Sequence, residues 1–129
     1  DKFALKGSDI RLKTEISDLQ DMSSFYMQLS PKKYRFKNGL RGYDDRLHYG
    51  FIAQEIESII TEKSSLVYKN LCDRDLSNEN EIIGDDYFYC VDKDELHAMH
   101  VQMIQKQQKE IEFLKKELTS LEQKVNQSG

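Results

Sequence analysis

The C-terminal quarter of the chain constrains the fold most. From Glu95 to Val125 it contains neither Gly nor Pro, the two residues that interrupt helices most strongly. After Ile111, apolar residues recur at alternating intervals of three and four, which is the heptad spacing of a coiled coil. The a and d positions of this seam are Ile104, Gln107, Ile111, Leu114, Leu118, Leu121 and Val125. The pattern predicts one long helix.

The apolar stripe on this helix is narrow. A single amphipathic helix folded back on its own domain would need a wider one, and residues 106–109 and 115–117 are too polar to be covered. A narrow stripe on a long polar helix favours packing against partner helices. Ile at a with Leu at d favours two strands in simple parallel peptides, so the pattern leaves dimer and trimer open. Gln107, polar at a d position, can fix the register.

The preceding segments alternate between helical and extended patterns. Apolar spacing predicts an amphipathic helix over 14–29, a strand at Tyr34 and Phe36, and a short strand at 49–51 that continues as a helix to Ile60. Further strands are predicted at 66–68 and 87–91, with an acidic loop over 72–86 that has an extended piece at Ile82. Asp92 or Asp94 would cap the long helix. The fold class is α+β, a small mixed domain followed by a coiled-coil helix.

Composition excludes several function classes. The 129 residues carry a net charge of −4, which does not favour nucleic acid, and no apolar run is long enough to cross a membrane. Cys72 and Cys90 are interpreted as free thiols. His97 and His100 lie three apart on the long helix but lack metal-ligand spacing with the cysteines. No glycine-rich phosphate loop is present, so we expect neither a metal nor a cofactor.

The stretch SDIRLK, residues 8–13, carries the one candidate for chemistry. A serine is a weak nucleophile that needs a base, and a lysine can serve if burial or a nearby cation such as Arg11 favours its neutral form. The same residues also suit a helix start, with Ser8 as N-cap and Asp9 in the first turn. By themselves the six residues favour the helix start.

Three blocks together carry a more specific signal. SDIRLKTEI at 8–16, HYGFIAQEIESI at 48–59 and YCVDKDELHAMHVQMIQKQQKEIEFLKKELTSLE at 89–122 resemble the opening, central and closing blocks of one family. The chain is similar to the intramolecular chaperone domain of endosialidase tailspikes, the S74 peptidase family. Such domains close many bacteriophage tail fibres, tailspikes and neck appendages, and this chain most resembles those of neck appendages.

The resemblance implies a homotrimer that folds a β-rich fibre upstream in the same polypeptide and then cuts itself off. Ser8 would be the nucleophile and Lys13 its general base, with Asp9 and Arg11 supporting the cleavage motif. Structural motif positions in the central block are Gly50, Phe51, Ala53, Gln54 and Glu55. The expected division is 1–7 as a stub of the upstream fibre, 8–95 as the chaperone and autoprotease core, and 96–129 as the coiled-coil helix. Neither nucleic acid nor membrane is an expected partner, and the expected location is the host bacterial cytoplasm during phage assembly.

Several alternatives stay open. The family implies cleavage of the Ser8–Asp9 bond, where attack from a neighbouring subunit avoids a strained four-membered ring. Attack on the Gly7 carbonyl would instead proceed through an easier five-membered ring. A second function is a trimerisation and folding module that does not cleave. A third is the same module in a eukaryotic membrane-tethered transcription factor, which nothing in this sequence supports.

Overall fold

The computed structural model describes residues 7–128, which form a small α+β domain followed by a long helix. The predicted fold class is confirmed. After a 3₁₀ turn at Ile10–Leu12, the elements are α1 (Ser23–Met27), β1 (Lys32–Tyr34), β2 (His48–Gly50), α2 (Ala53–Ile59), β3 (Val67–Leu71), α3 (Glu79–Ile83), β4 (Tyr87–Val91) and α4 (Lys93–Ser128).

The strands form two separate antiparallel pairs. In the first sheet β1 pairs with β2, so that Lys33 lies opposite Tyr49. In the second sheet β3 pairs with β4, and Lys69 lies opposite Tyr89. The predicted strands near 34, 49, 67 and 87–91 are therefore confirmed in type. Two-stranded sheets are marginally stable by themselves, and the second one packs on the apolar core through Val67 and Val91.

That core is built around the first turns of α4. Leu96 and Met99 of α4 pack in one buried cluster with Phe25, Ile56 and Leu66. Leu66 and Leu96 are each only 1% exposed. The expected division between residues 95 and 96 thus falls inside a helix that belongs to the domain core. Beyond Met103 the helix is exposed over its whole remaining length.

The start of α4 is fixed by Asp92. Its carboxylate accepts the backbone N–H of Asp94 at 3.1 Å, as an N-cap does, and its own N–H donates to the Leu66 carbonyl at 2.7 Å. Of the two predicted caps, Asp92 is confirmed. Within residues 7–128, no helix has both the length and the apolar character needed to cross a lipid bilayer.

The helix predicted over 14–29 is wrong for most of its length. Only Ser23–Met27 is helical, and Ile16 and Leu19, assigned to the apolar face, are exposed. The cause is tertiary. Gln102 of α4 occupies backbone groups of this segment that a helix would pair internally, and the Asp21 carboxylate accepts the N–H of Ser23 at 2.9 Å, just where α1 begins. Such contacts override apolar spacing.

The acidic segment before β4 also differs from its prediction. Instead of an extended piece at Ile82, it contains the helix α3. This helix ends at Gly84, which has a left-handed φ of 84° and donates its N–H to Asn80 at 2.9 Å. Glycine adopts this conformation without steric cost and commonly ends helices. Cys72 and Cys90 on either side are free and half-buried, as predicted.

Glu79 of α3 joins two loops through a buried carboxylate. It is 3% exposed and accepts the backbone N–H groups of Asp73 at 2.9 Å and Arg41 at 3.1 Å. The Arg41 side chain also binds it through Nε at 3.1 Å, donates to the Leu71 carbonyl at 3.0 Å and lies over the Phe88 ring. The hydrogen bond from Asp73, followed by those from Arg41, outweighs burial and lowers the pKa of Glu79.

We expect Glu79→Gln to lower the free energy of unfolding by about 2 kcal/mol, because the buried carboxylate accepts from Asp73 and Arg41 through two oxygens and an amide has only one acceptor oxygen. Urea unfolding at fixed protein concentration measures this loss. Glu81→Gln on the same helix is the matched control, since Glu81 is exposed. A loss of the same size in both variants would contradict the assignment.

The contribution of the Glu79 carboxylate to the free energy of unfolding depends on pH in a defined way. The folded pKa of Glu79 is lowered, so its contribution to stability is complete above the unfolded carboxyl value of about 4.3. It disappears as the pH falls through the folded pKa. The difference in unfolding free energy between parent and Glu79→Gln should therefore shrink progressively below about pH 4.

Candidate active site

The SDIRLK segment forms a compact 3₁₀ turn. Asp9 is its N-cap, and the Asp9 carboxylate accepts the backbone N–H of Arg11 at 2.8 Å. The Lys13 N–H closes the turn on the Ile10 carbonyl at 3.2 Å, and Lys13 itself is extended. The alternative interpretation, a longer helix with Ser8 as N-cap, is wrong: the turn has three residues and its cap is Asp9.

This turn brings Ser8 and Lys13 together. Lys13 Nζ donates to Ser8 Oγ at 2.7 Å, which is within the distance that a nucleophile and its base require. Lys13 acts as a base only in its neutral form, in which Ser8 Oγ can donate its proton to Nζ.

Asp9 and Arg11 form a second pair beside the first. The guanidinium binds the carboxylate through two nitrogens, Nε at 3.1 Å from Oδ1 and Nη2 at 2.7 Å from Oδ2. The side-chain hydrogen bond to Arg11, followed by the backbone one, holds the pKa of Asp9 below its ordinary value. The same contact raises the pKa of Arg11. The charge of Arg11 is thus directed at Asp9 rather than at Lys13.

Both pairs lie at the surface of the chain. Residues 7–20 are all exposed, including the apolar side chains of Ile10, Leu12 and Ile16. Leu12 folds over Gly7, where a Cβ would come within 2.7 Å of its Cδ1 atom. A side chain at position 7 would therefore push Leu12 away from the peptide that precedes Ser8.

The segment 14–22 between this turn and α1, here called the arm, is attached to α4 through Gln102. Gln102 donates through Nε2 to the carbonyls of Leu19 at 3.2 Å and Gln20 at 2.9 Å, and its Oε1 accepts the N–H of Met22 at 3.0 Å. An amide has the donors and acceptor to satisfy all three. The contact fixes the end of the arm against the helix that leaves the domain.

Lys106, one turn further along α4, reinforces this attachment. It pairs with Asp21 at 2.9 Å and donates to Ser23 Oγ at 2.6 Å. The hydrogen bond from Ser23, followed by that from Lys106, lowers the pKa of Asp21 strongly. Sequence reasoning missed Gln102 and Lys106, because their partners lie about eighty residues away and no local pattern marks them.

The central block builds the domain rather than the dyad. Gly50 ends β2 against the Tyr34 ring, Phe51 packs on the core and Ala53 is buried at the start of α2. Gln54 and Glu55 are exposed, with Glu55 3.8 Å from Lys32 Nζ. Within the described residues, the hydrogen bonds and ion pairs of 8–13 do not reach this block.

The predicted seam on α4 lies open. Its apolar members Ile104, Ile111, Leu114, Leu118, Leu121 and Val125 are between 45% and 65% exposed. Upstream in the same register, His100 donates to or accepts from the Tyr26 hydroxyl at 3.0 Å, while His97 is exposed. In the part of the chain that the structure describes, no three His, Cys, Asp or Glu side chains are grouped as metal ligands.

Comparison with protein families identifies the segment that holds the dyad. Residues 8–64 match the S74 peptidase family, described as the chaperone of endosialidase. The predicted resemblance is therefore confirmed, and it covers the opening and central blocks together with α1, α2 and the first sheet. The match supports a chaperone role for this segment, and the family to which it is similar is named as a peptidase family. A search of curated proteins found no match to the chain.

Gln102→Ala should release the arm from α4, because three backbone groups of the arm lose their partner on the domain. Amide hydrogen exchange at Met22 should become about tenfold faster, the change that a loss of roughly 1.4 kcal/mol in local stability produces. Gln105→Ala on the exposed side of the same helix is the control. Equal protection of Met22 in both variants would contradict the attachment.

Proposed function

We propose that this chain is a C-terminal intramolecular chaperone that trimerises, folds a β-rich fibre upstream in the same polypeptide, and then releases itself by autoproteolysis at Ser8. The observation that carries the catalytic part is the 2.7 Å contact between Lys13 Nζ and Ser8 Oγ. It is created within the six consecutive residues 8–13, so the two groups are pre-positioned without help from a distant element. In phage assembly this would take place in the host bacterial cytoplasm.

The homotrimer is supported by apolar surface that one chain leaves uncovered. The a and d side chains of α4 are about half exposed along one face, and Ile10, Leu12 and Ile16 on and after the catalytic turn are also exposed. Contiguous apolar patches of this kind mark interfaces. A second and third copy of α4 would cover the seam, and neighbouring domains would cover the turn and the arm.

Covering the turn also has a chemical consequence. Lys13 must be neutral to accept a proton, and loss of water around an ammonium group favours its neutral form. Assembly of the trimer would thereby activate the base as it buries the site. Cleavage would follow assembly rather than precede it, which a chaperone that leaves after folding requires.

The reaction conserves atoms and charge in two steps. Ser8 Oγ attacks the carbonyl carbon as Lys13 Nζ takes the hydroxyl proton, and collapse of the tetrahedral intermediate breaks the C–N bond while Lys13 returns a proton to the leaving amine. A water molecule then hydrolyses the ester and regenerates Ser8. Positioning provides much of the acceleration, and one turnover is sufficient.

Two scissile bonds fit this chemistry. Ser8 of one subunit can attack the Ser8–Asp9 bond of a neighbour, as the family resemblance implies. Alternatively, Ser8 can attack the Gly7 carbonyl in its own chain through a five-membered ring, an N-to-O shift. The masses of the products differ by one serine and distinguish the two.

The folding function rests on local concentration. A coiled coil brings three chains into register, which converts association of their upstream parts into a nearly intramolecular event. Pairing of distant β-strands is slow because loop closure must precede the contacts. A trimeric coiled coil on the C-terminal side of such strands would therefore nucleate their pairing.

A non-cleaving folding module is the second candidate. It is favoured by one observation, the exposure of Ser8 and Lys13 at the surface of the chain. In that case the turn would be a structural start to the domain, and α4 alone would perform the trimerisation.

We expect the chain, expressed with its natural upstream sequence, to split at residue 8 or its neighbour. Ser8→Ala and Lys13→Ala should each reduce cleavage at least a hundredfold, because each removes one half of the dyad. Intact mass spectrometry gives the extent of cleavage and its position. Native mass spectrometry of the two uncleaved variants should give a trimer.

The control for this experiment is Ser58→Ala, since Ser58 is exposed in α2 and bonds only to a local carbonyl. Persistent cleavage in Ser8→Ala would contradict the proposed nucleophile. An intact parent that still needs residues 8–129 to trimerise would instead identify the non-cleaving module.

Leu118→Glu should abolish the trimer, because it places three like charges together in a seam layer. Sedimentation equilibrium of the uncleavable Ser8→Ala chain measures the mass. Thr119→Glu adds the same charge at an exposed position next to the seam and should leave the oligomer intact. Trimers of both variants, or dimers of the unmodified chain, would contradict this part of the proposal.

A further inference from the structure

The catalytic turn carries a carboxylate beside its lysine. Asp9 directly follows Ser8, whose Oγ is the hydrogen-bond partner of Lys13 Nζ. A carboxylate at this position is an alternative partner for the ammonium group. It would compete with Ser8 for Nζ and would also stabilise the charged form of the lysine, which is the form that cannot act as a base.

Arg11 prevents this competition in the structure. Its guanidinium occupies both oxygens of Asp9, with contacts of 3.1 Å, 3.2 Å and 2.7 Å, and its backbone N–H takes a further bond at 2.8 Å. A planar guanidinium matches a carboxylate through two parallel bonds, which a lysine cannot reproduce. Asp9 keeps its cap position in the turn and makes neither a hydrogen bond nor an ion pair with Lys13, whose partner is Ser8.

We propose that Arg11 is a positioning residue, which occupies the Asp9 carboxylate so that Lys13 pairs with Ser8 and can give up its proton. This inference rests on the proposed autoproteolysis and assigns a separate role to each charge of the motif. Asp9 shapes the turn as its N-cap, and Arg11 binds the Asp9 carboxylate so that this carboxylate does not pair with Lys13. Arg11 acts through Asp9 and does not touch the reacting atoms.

Among residues 7–128, the charged side chains closest to Lys13 along the chain are Asp9 and Arg11 on its own turn and Glu15 in the arm. In that part of the chain, the hydrogen bonds and ion pairs made by 8–13 stay inside the segment, and no charged side chain of α2 or α4 forms one with it. The Asp9–Arg11 pair is therefore the charged pair that shares the turn with Lys13.

The first test is the pH profile of self-cleavage for the parent and Arg11→Ala, followed by intact mass. Arg11→Ala should move the midpoint of the rising limb about 0.5 to 1 pH unit upward, because the freed carboxylate favours the ammonium form. Arg11→Lys should recover only part of the shift. The double variant Asp9→Asn with Arg11→Ala should return close to the parent midpoint, since it has neither charge and Asn keeps a capping oxygen.

The matched control is Arg46→Ala. Arg46 also follows an aspartate at a spacing of two, and its N–H donates to Asp44 at 3.0 Å in another loop. The Arg46→Ala variant loses the same charge as Arg11→Ala but exposes no carboxylate beside Ser8 and Lys13. Its pH profile of cleavage should therefore equal that of the parent. A uniform loss of rate in Arg11→Ala at every pH, with an unchanged midpoint, would overturn the inference in favour of a purely structural role.

A second readout does not depend on cleavage. In the Ser8→Ala chain, the ε-carbon NMR signal of Lys13 reports its protonation directly, and its titration midpoint should rise when Arg11→Ala is added. No rise would overturn the inference even if the parent cleaves. A rise in a chain whose parent never cleaves would support the inference while the proposed autoproteolysis fails.

Discussion

The packing of the first turns of α4 into the domain core is the contact on which the other parts of the molecule depend. Leu96 and Met99 join Phe25, Ile56 and Leu66 in one cluster, so the helix that carries the seam is also the central element of the domain. The second sheet and α2 pack on that cluster through Val67, Val91 and Ile56. Because an α-helix is stiff over several turns, the orientation of the domain relative to the stalk is set within the core.

The same helix connects the candidate active site to the stalk. Gln102 and Lys106 bind the end of the arm, and the arm leads to the turn that contains Ser8 and Lys13. Association of three α4 helices would therefore carry three arms and three turns into defined positions. This arrangement gives a physical route by which assembly can control chemistry, namely burial of an exposed dyad by neighbouring copies.

The candidate dyad, which the family resemblance implied, lies within six consecutive residues. Ser8 and Lys13 are joined by a turn that short-range hydrogen bonds determine, and Asp9 is a natural cap for it. Glu79 was not found, because it lies in a run of acidic residues that resembles a solvated loop. Gly84 was the available signal, since a glycine after Ile83 is typical of a helix end.

The sequence by itself determined the α+β class, the uninterrupted long helix with its heptad seam, and the family of residues 8–64. These features depend on local residue spacing and on short motifs, which can be recognised without knowledge of the tertiary contacts. Only the tertiary structure decided that 14–22 is an arm and that Glu79 is buried and paired with Arg41. Both depend on partners 38 or more residues away, and the free energy of such contacts exceeds the small local preference that periodicity measures.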